Sequence, residues 1–135
     1  MPVASLCRTA RRPVARSFFY RMFVFISHLT VPERDRAALE RHFRERSHLV
    51  DGFPGFLYLQ LLAPQGGSAS HAFLTAWESR RAFSEYMRSE EHRLSHSREP
   101  AEIMARTTVR HEAFEVLMDS RQSAEWVETS LAADV

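Results

Sequence analysis

Four β-prone runs in this chain, FVFI, FLYLQLL, AFLTAW and AFEVLM, are apolar at most positions of both parities. A sheet with one wet face alternates apolar and polar residues, because successive side chains point to opposite faces. Sheets built from these runs must therefore be covered on both sides. The chain has enough further sequence for two amphipathic helices, which shield one face only. A second copy of the chain is the simplest cover for the other, so the pattern predicts a homodimer whose two sheets pack together.

The order of the elements follows from periodicity and turn chemistry. Met22 to Val31 (MFVFISHLTV) is rich in β-branched and aromatic residues and stops at Pro32, which marks the first strand. Glu33 to Val50 sets Leu39, Phe43 and Val50 on a helical stripe, and Asp51-Gly52 ends it. Phe53-Pro54-Gly55 turns the chain into Phe56 to Leu62, and the Pro64 to Ser68 loop leads to a third β run, His71 to Trp77. Ser79 to Ser97 is a second helical region, interrupted near Ser89, a residue able to cap a new segment. Residues 101–109 add a helical turn, and Arg110 to Met118 is the last strand. Strand, helix, two strands, helix and strand predict an α+β fold: a ferredoxin-like four-stranded antiparallel sheet with helices on one face, pairing into a dimeric α+β barrel.

Length and charge remove several functional classes. With 135 residues, 44% apolar and 26% charged, the chain reads as one domain. No apolar run reaches the roughly 18 to 20 residues of a membrane span, and a cytoplasmic location is the default expectation. Residues 1–21 hold five Arg and no acid, leaving 13 basic against 17 acidic residues in 22–135. That acidic body argues against nucleic acid as a partner. The Arg-rich segment reads as a disordered extension or a translation start assigned too early, residues 22–119 as the domain, and 120–135 as a loosely attached tail. Cys7 is the single cysteine, so no intramolecular disulfide or Cys-based metal cluster is available. No Gly-rich phosphate loop, Ser-His-Asp order or paired-carboxylate spacing is present.

Several residues carry a more specific signal. Arg41-His42-Phe43-Arg44-Glu45-Arg46, Asp51-Gly52-Phe53-Pro54-Gly55-Phe56-Leu57, Trp77-Glu78-Ser79 with Ala82-Phe83, and then Ser89 and His96 resemble the antibiotic-biosynthesis monooxygenase superfamily over roughly Met22 to Met118. Within it the chain is most similar to the bacterial and mycobacterial haem-degrading monooxygenases. That resemblance implies a dimeric barrel and a His at the end of the second helical region that ligates haem iron, the position His96 occupies. It also puts Tyr86 where those enzymes have a Trp that buckles the porphyrin, and Ser27 where they have a distal Asn. Both positions depart from the pattern, although Ser still donates a hydrogen bond and Tyr still presents a ring face.

Each candidate also has a plainer reading. Phe23, Phe25, Ser27 and Leu29 share one parity of the first strand, so Ser27 is either a polar group aimed into a pocket or a tolerated small residue. His28 has the other parity and is expected to be structural. His92 and His96 stand four apart, but with no third ligand and no adjacent Glu the pair is weak evidence for zinc, and His92 reads as solvated. His96 is either a helix C-terminal cation or a haem ligand whose second nitrogen meets a carbonyl or carboxylate. Phe83, Tyr86 and Met87 are a core stripe or the wall of a slot for haem or a polycyclic substrate. Trp77 reads as a fold residue.

The leading expectation is a haem-binding monooxygenase that opens the porphyrin ring with oxygen and electrons from a reductase. Its candidate catalytic residues are Ser27 and Tyr86, with His96, Phe83, Met87 and Phe25 around the haem and His96 on its iron. Two alternatives stay open. One is a cofactor-independent monooxygenase acting on a quinol or polycyclic aromatic. The other is a dimer that binds haem or another small hydrophobic molecule without catalysis.

Overall fold

The computed structural model describes residues 21–46, 48–66 and 70–121. The expectations for residues 1–20 and for the tail beyond 121 lie outside these. Four strands, β1 (Phe23–Thr30), β2 (Phe56–Leu62), β3 (Ser70–Trp77) and β4 (Thr108–Glu115), form one antiparallel sheet in the order β2-β3-β1-β4. The helices are α1 (Arg36–Arg44), α2 (Arg80–Met87), α3 (Glu90–Ser97) and the short α4 (Ala101–Ala105). This is the ferredoxin-like α+β arrangement read from the sequence. Among the described residues no helix is long and apolar enough to cross a membrane.

The first helix is shorter than its stripe implied. A 3-10 turn over Glu33–Asp35 precedes α1, and a second over Leu49–Gly52 follows it. Between Phe43 and Leu49 no apolar side chain holds the helix to the sheet, so the chain leaves the axis and then turns to bury Val50 beside Trp77 and Tyr86. Arg46 and His48 both bond Asp51 and brace this bend, at 3.1 and 2.7 Å.

The second helical region breaks where Ser89 suggested. Ser79 Oγ accepts the Ala82 N–H at 3.1 Å and starts α2. Ser89 Oγ accepts the His92 N–H at 3.1 Å while donating to the Tyr86 carbonyl at 2.6 Å, so one hydroxyl ends α2 and starts α3. At the other end of the layer, Arg106 makes two bonds to the buried Asp35 carboxylate, at 2.7 and 2.9 Å, and joins the end of α4 to the start of α1.

The core lies between α2 and one end of the sheet, built by Phe23, Val50, Trp77, Ala82 and Tyr86. Trp77 is 1% exposed and its indole N–H donates to Thr75 Oγ1 at 2.9 Å, in keeping with a fold residue. A bulge between Phe56 and Tyr58 leaves Leu57 out of register. It puts Phe56, Leu59 and Leu61 on the helix face despite their mixed parity, which accounts for the uniformly apolar look of FLYLQLL.

The last strand differs from its expected range of Arg110 to Met118. It pairs residue for residue with β1, from Phe23↔Glu115 to Thr30↔Thr108, and the pairing runs out at the Val116 N–H bond to the Met22 carbonyl, 2.9 Å. Leu117 and Met118 lie beyond it, exposed. The true register also corrects the idea that β4 is apolar on both sides. Away from the helices it presents Thr108, Arg110, Glu112 and Phe114, and His28 meets Glu112 there at 2.6 Å. The same face carries Val24, Ile26, Ala72, Leu74, Ala76 and Tyr58 on the other strands.

Candidate functional site

Alternation along β1 sends Phe25, Ser27 and Leu29 under the helices, and their β3 partners Thr75, Phe73 and His71 share that side. Between this floor and the α2–α3 wall lies a cavity of about 380 Å³. All six residues selected from the sequence line it: Phe25, Ser27, Phe83, Tyr86, Met87 and His96. They are not equivalent. Phe25 and Phe83 stack on each other with centroids 4.5 Å apart, so they form a closed wall where β1 meets α2. Met87 and His96 stand at the exposed side.

Tyr86 is the link between core and cavity. Its ring contacts Trp77 and Phe53, each with centroids 5.2 Å away, and it lines the cavity as well. Burial pushes its hydroxyl above the ordinary tyrosine value, partly offset by a hydrogen bond with Ser95, so it stays protonated at neutral pH.

The His96 side chain is 68% exposed, with Nδ1 3.4 Å from Glu99 Oε1. A carboxylate behind one nitrogen leaves Nε2 as the nitrogen open to a metal. His92 corrects the sequence reading: it is half-buried rather than solvated. Its ring meets Tyr86 at 5.2 Å and His96 at 5.8 Å. Burial first, and then the neighbouring His96, hold its pKa below the usual imidazole range against a hydrogen bond with the Met87 backbone. His92 is therefore held towards its neutral form. No third ligand joins them, and no cluster of three or more metal-ligating side chains occurs among the described residues.

His42 and His111, which the sequence reading did not weigh as site residues, also line the cavity, as does Arg46. Arg46, held by Asp51, brings positive charge to its wall. His111 is the β1 cross-strand partner of Ser27, and its Nδ1 lies 3.1 Å from Ser27 Oγ. Its signal is invisible without the β4 register, because β1 and β4 are the first and last strands. His28 lies on the opposite side of the sheet, as its parity required.

A ferredoxin-like sheet with helices on one side and a mainly apolar slot between the layers defines a small α+β protein with a cavity between its two layers. The family model for antibiotic biosynthesis monooxygenase matches residues 22–98, and the chain belongs to that family. A heme oxygenase (mycobilin-producing) of Mycobacterium tuberculosis is 42% identical over 60 residues, 44% of this chain. The match spans 57% of that relative's length. Among solved structures, the heme-degrader MhuD of Mycobacterium tuberculosis, with two hemes bound in its active site, superposes with a TM-score of 0.62 at 33% identity, covering 72% of this chain and 97% of that one. SnoaB, a cofactor-independent oxygenase from Streptomyces nogalater, superposes with a TM-score of 0.58 at 21% identity, over 73% of this chain and 96% of its own, a likeness of fold.

Proposed function

We propose that this protein binds haem as its substrate in the cavity between α2–α3 and the sheet, and opens the porphyrin ring with oxygen and external electrons. The observation that carries the reading is an imidazole at the exposed side of an apolar slot, His96 with Glu99 at its Nδ1. The donor set fits the group: one imidazole nitrogen for iron, aromatic and thioether surface for a flat macrocycle, and Arg46 for an acidic edge. The similarity to the mycobacterial heme oxygenase and to MhuD supports it further. Haem, when bound, supplies the iron that brings oxygen and electrons together.

In this reading His96 would hold the iron, with Glu99 fixing its ring through Nδ1. Phe25, Phe83 and Met87 would exclude water and line the slot for the macrocycle. Tyr86 offers a ring face from the helix wall, and its protonated hydroxyl is a fixed donor. Ser27 supplies a hydroxyl from the sheet floor. The homodimer, an electron-donating reductase, a cytoplasmic location and a domain spanning 22–119 belong to the same proposal.

A second reading, oxygenation of a quinol or polycyclic aromatic without a cofactor, is favoured by the imidazoles His92 and His111 beside an apolar slot, since these can take a substrate proton without iron. One experiment separates the possibilities. Purified protein is loaded with hemin, and spectra are followed under ascorbate in air. Decay of the Soret band into a ring-opened tetrapyrrole, identified by mass, is the expected result. A stable Soret band would leave a haem carrier. No Soret perturbation, with oxygen uptake on a hydroquinone instead, would favour the second reading.

A further inference from the structure

A hydroxyl that meets a ligand on the floor of a mainly apolar cavity can give up only the proton it already holds, unless a neighbouring group supplies another. Ser27 has such a group behind it. Its Oγ lies 3.1 Å from Nδ1 of His111, both side chains line the cavity, and His111 is itself exposed to solvent at the β4 edge. The ring is held in place by Phe25, whose centroid is 5.1 Å away. His28, His48, His71 and His96 instead face the carboxylates of Glu112, Asp51, Glu40 and Glu99. A hydroxyl, unlike a carboxylate, can accept one proton and donate another within the same chain of bonds.

Imidazole can accept a proton at one ring nitrogen and release one from the other without turning. We propose that Ser27 and His111 form a two-residue proton relay between bulk water and the cavity, in which Ser27 meets the ligand and His111 is the positioning residue behind it. The inference rests on the haem reading and extends it to the source of protons. A proton released in the cavity passes to Ser27 Oγ as the hydroxyl proton of Ser27 moves to His111 Nδ1. The proton on Nε2 then leaves to water. Each oxygen and nitrogen ends with the bonds it needs, no electron is transferred, and the reverse sequence delivers a proton inward.

Cyanide binding to the hemin-loaded full chain is a non-catalytic test, because the ligand arrives as HCN and must lose its proton as it binds ferric iron. Stopped-flow association rates are measured for wild type, Ser27→Ala, His111→Phe, His111→Asn and the Ser27→Ala/His111→Phe double variant. His111→Phe keeps a ring against Phe25, and His111→Asn keeps a polar partner for Ser27 but cannot relay. With each protein saturated with hemin, every single variant is expected to slow association by at least about tenfold. The double variant should be no slower than the slower single, and the solvent isotope effect of the wild type should vanish in all variants. A wild-type rate in His111→Phe, recovery of the rate by His111→Asn, or multiplicative effects in the double variant would overturn the relay while leaving the haem reading intact. Failure of the wild type to bind hemin would overturn both.

Discussion

Gly55→Ala should be the most damaging single-methyl change in the described chain. Gly55 has φ +86°, and a Cβ built there would lie 2.4 Å from the Ala82 Cβ. That atom is fixed to the backbone of α2 and cannot swing aside. Ordinary carbon contacts sit near 3.5 to 4.0 Å, so turn and helix must part by about 1 Å or more. The Glu78 N–H to Gly55 carbonyl bond, 2.8 Å, opposes that movement. Left-handed backbone strain of about 1 to 2 kcal/mol and overpacking of about 1 to 3 kcal/mol together predict a loss of roughly 2 to 5 kcal/mol. For a domain of this size that lowers Tm by roughly 10 to 30 °C. Urea denaturation followed by circular dichroism measures it. Ala82→Gly removes the clashing atom at a helix-propensity cost of about 1 kcal/mol, so the double variant should be more stable than the two single effects predict by about 1 to 3 kcal/mol. Strict additivity, or a Gly55→Ala midpoint equal to wild type, would refute the reasoning.

Four further outcomes follow from the same structure. Ser79→Ala removes the hydroxyl that accepts the Ala82 N–H and should cost about 1 kcal/mol by chemical denaturation. Stability should fall in acid, because bonds from Arg106 and from His71 hold the Asp35 and Glu40 carboxyls below their usual 3.8 and 4.5. Groups with depressed folded pKa values stabilise above those usual values and lose their contribution as pH drops through the folded ones; Arg106→Gln should flatten this acid decline in urea midpoints taken from pH 7 to 3. Sedimentation should give twice the 15.7 kDa chain mass, and Leu74→Glu, which puts a charge on the sheet face away from the helices, should give monomer. Tyr86→Phe, which removes the bond to Ser95 but keeps the ring against Trp77, should leave hemin affinity within about threefold while Tyr86→Ala lowers stability by about 3 to 5 kcal/mol.

The sequence carried the fold where local chemistry and tertiary need agree. β-branched and aromatic density marked β1 and β3, Ser79 and Ser89 marked the helix starts, and alternation along β1 placed Ser27 and His28 on opposite faces. It failed where position depends on partners distant in sequence. The bulge at Leu57 is set by the need of Phe56 and Leu59 to face one core, and the extent of β4 is set by the length of β1. The site was legible as a stripe on α2 with His96 after it, because helical spacing alone brings these together. His92 looked solvated because its burial depends on how α3 folds back beside Tyr86 after the Ser89 break. His111 was hidden because only the pairing of first and last strands sets it against Ser27.

Hemin titration followed in the Soret region tests the haem reading most directly, comparing wild type with His96→Ala and His92→Ala. A shifted, saturable Soret band in wild type and His92→Ala, with at least about tenfold weaker binding and loss of the imidazole-ligated spectrum in His96→Ala, is the predicted result. A His96→Ala spectrum and affinity matching wild type would contradict it.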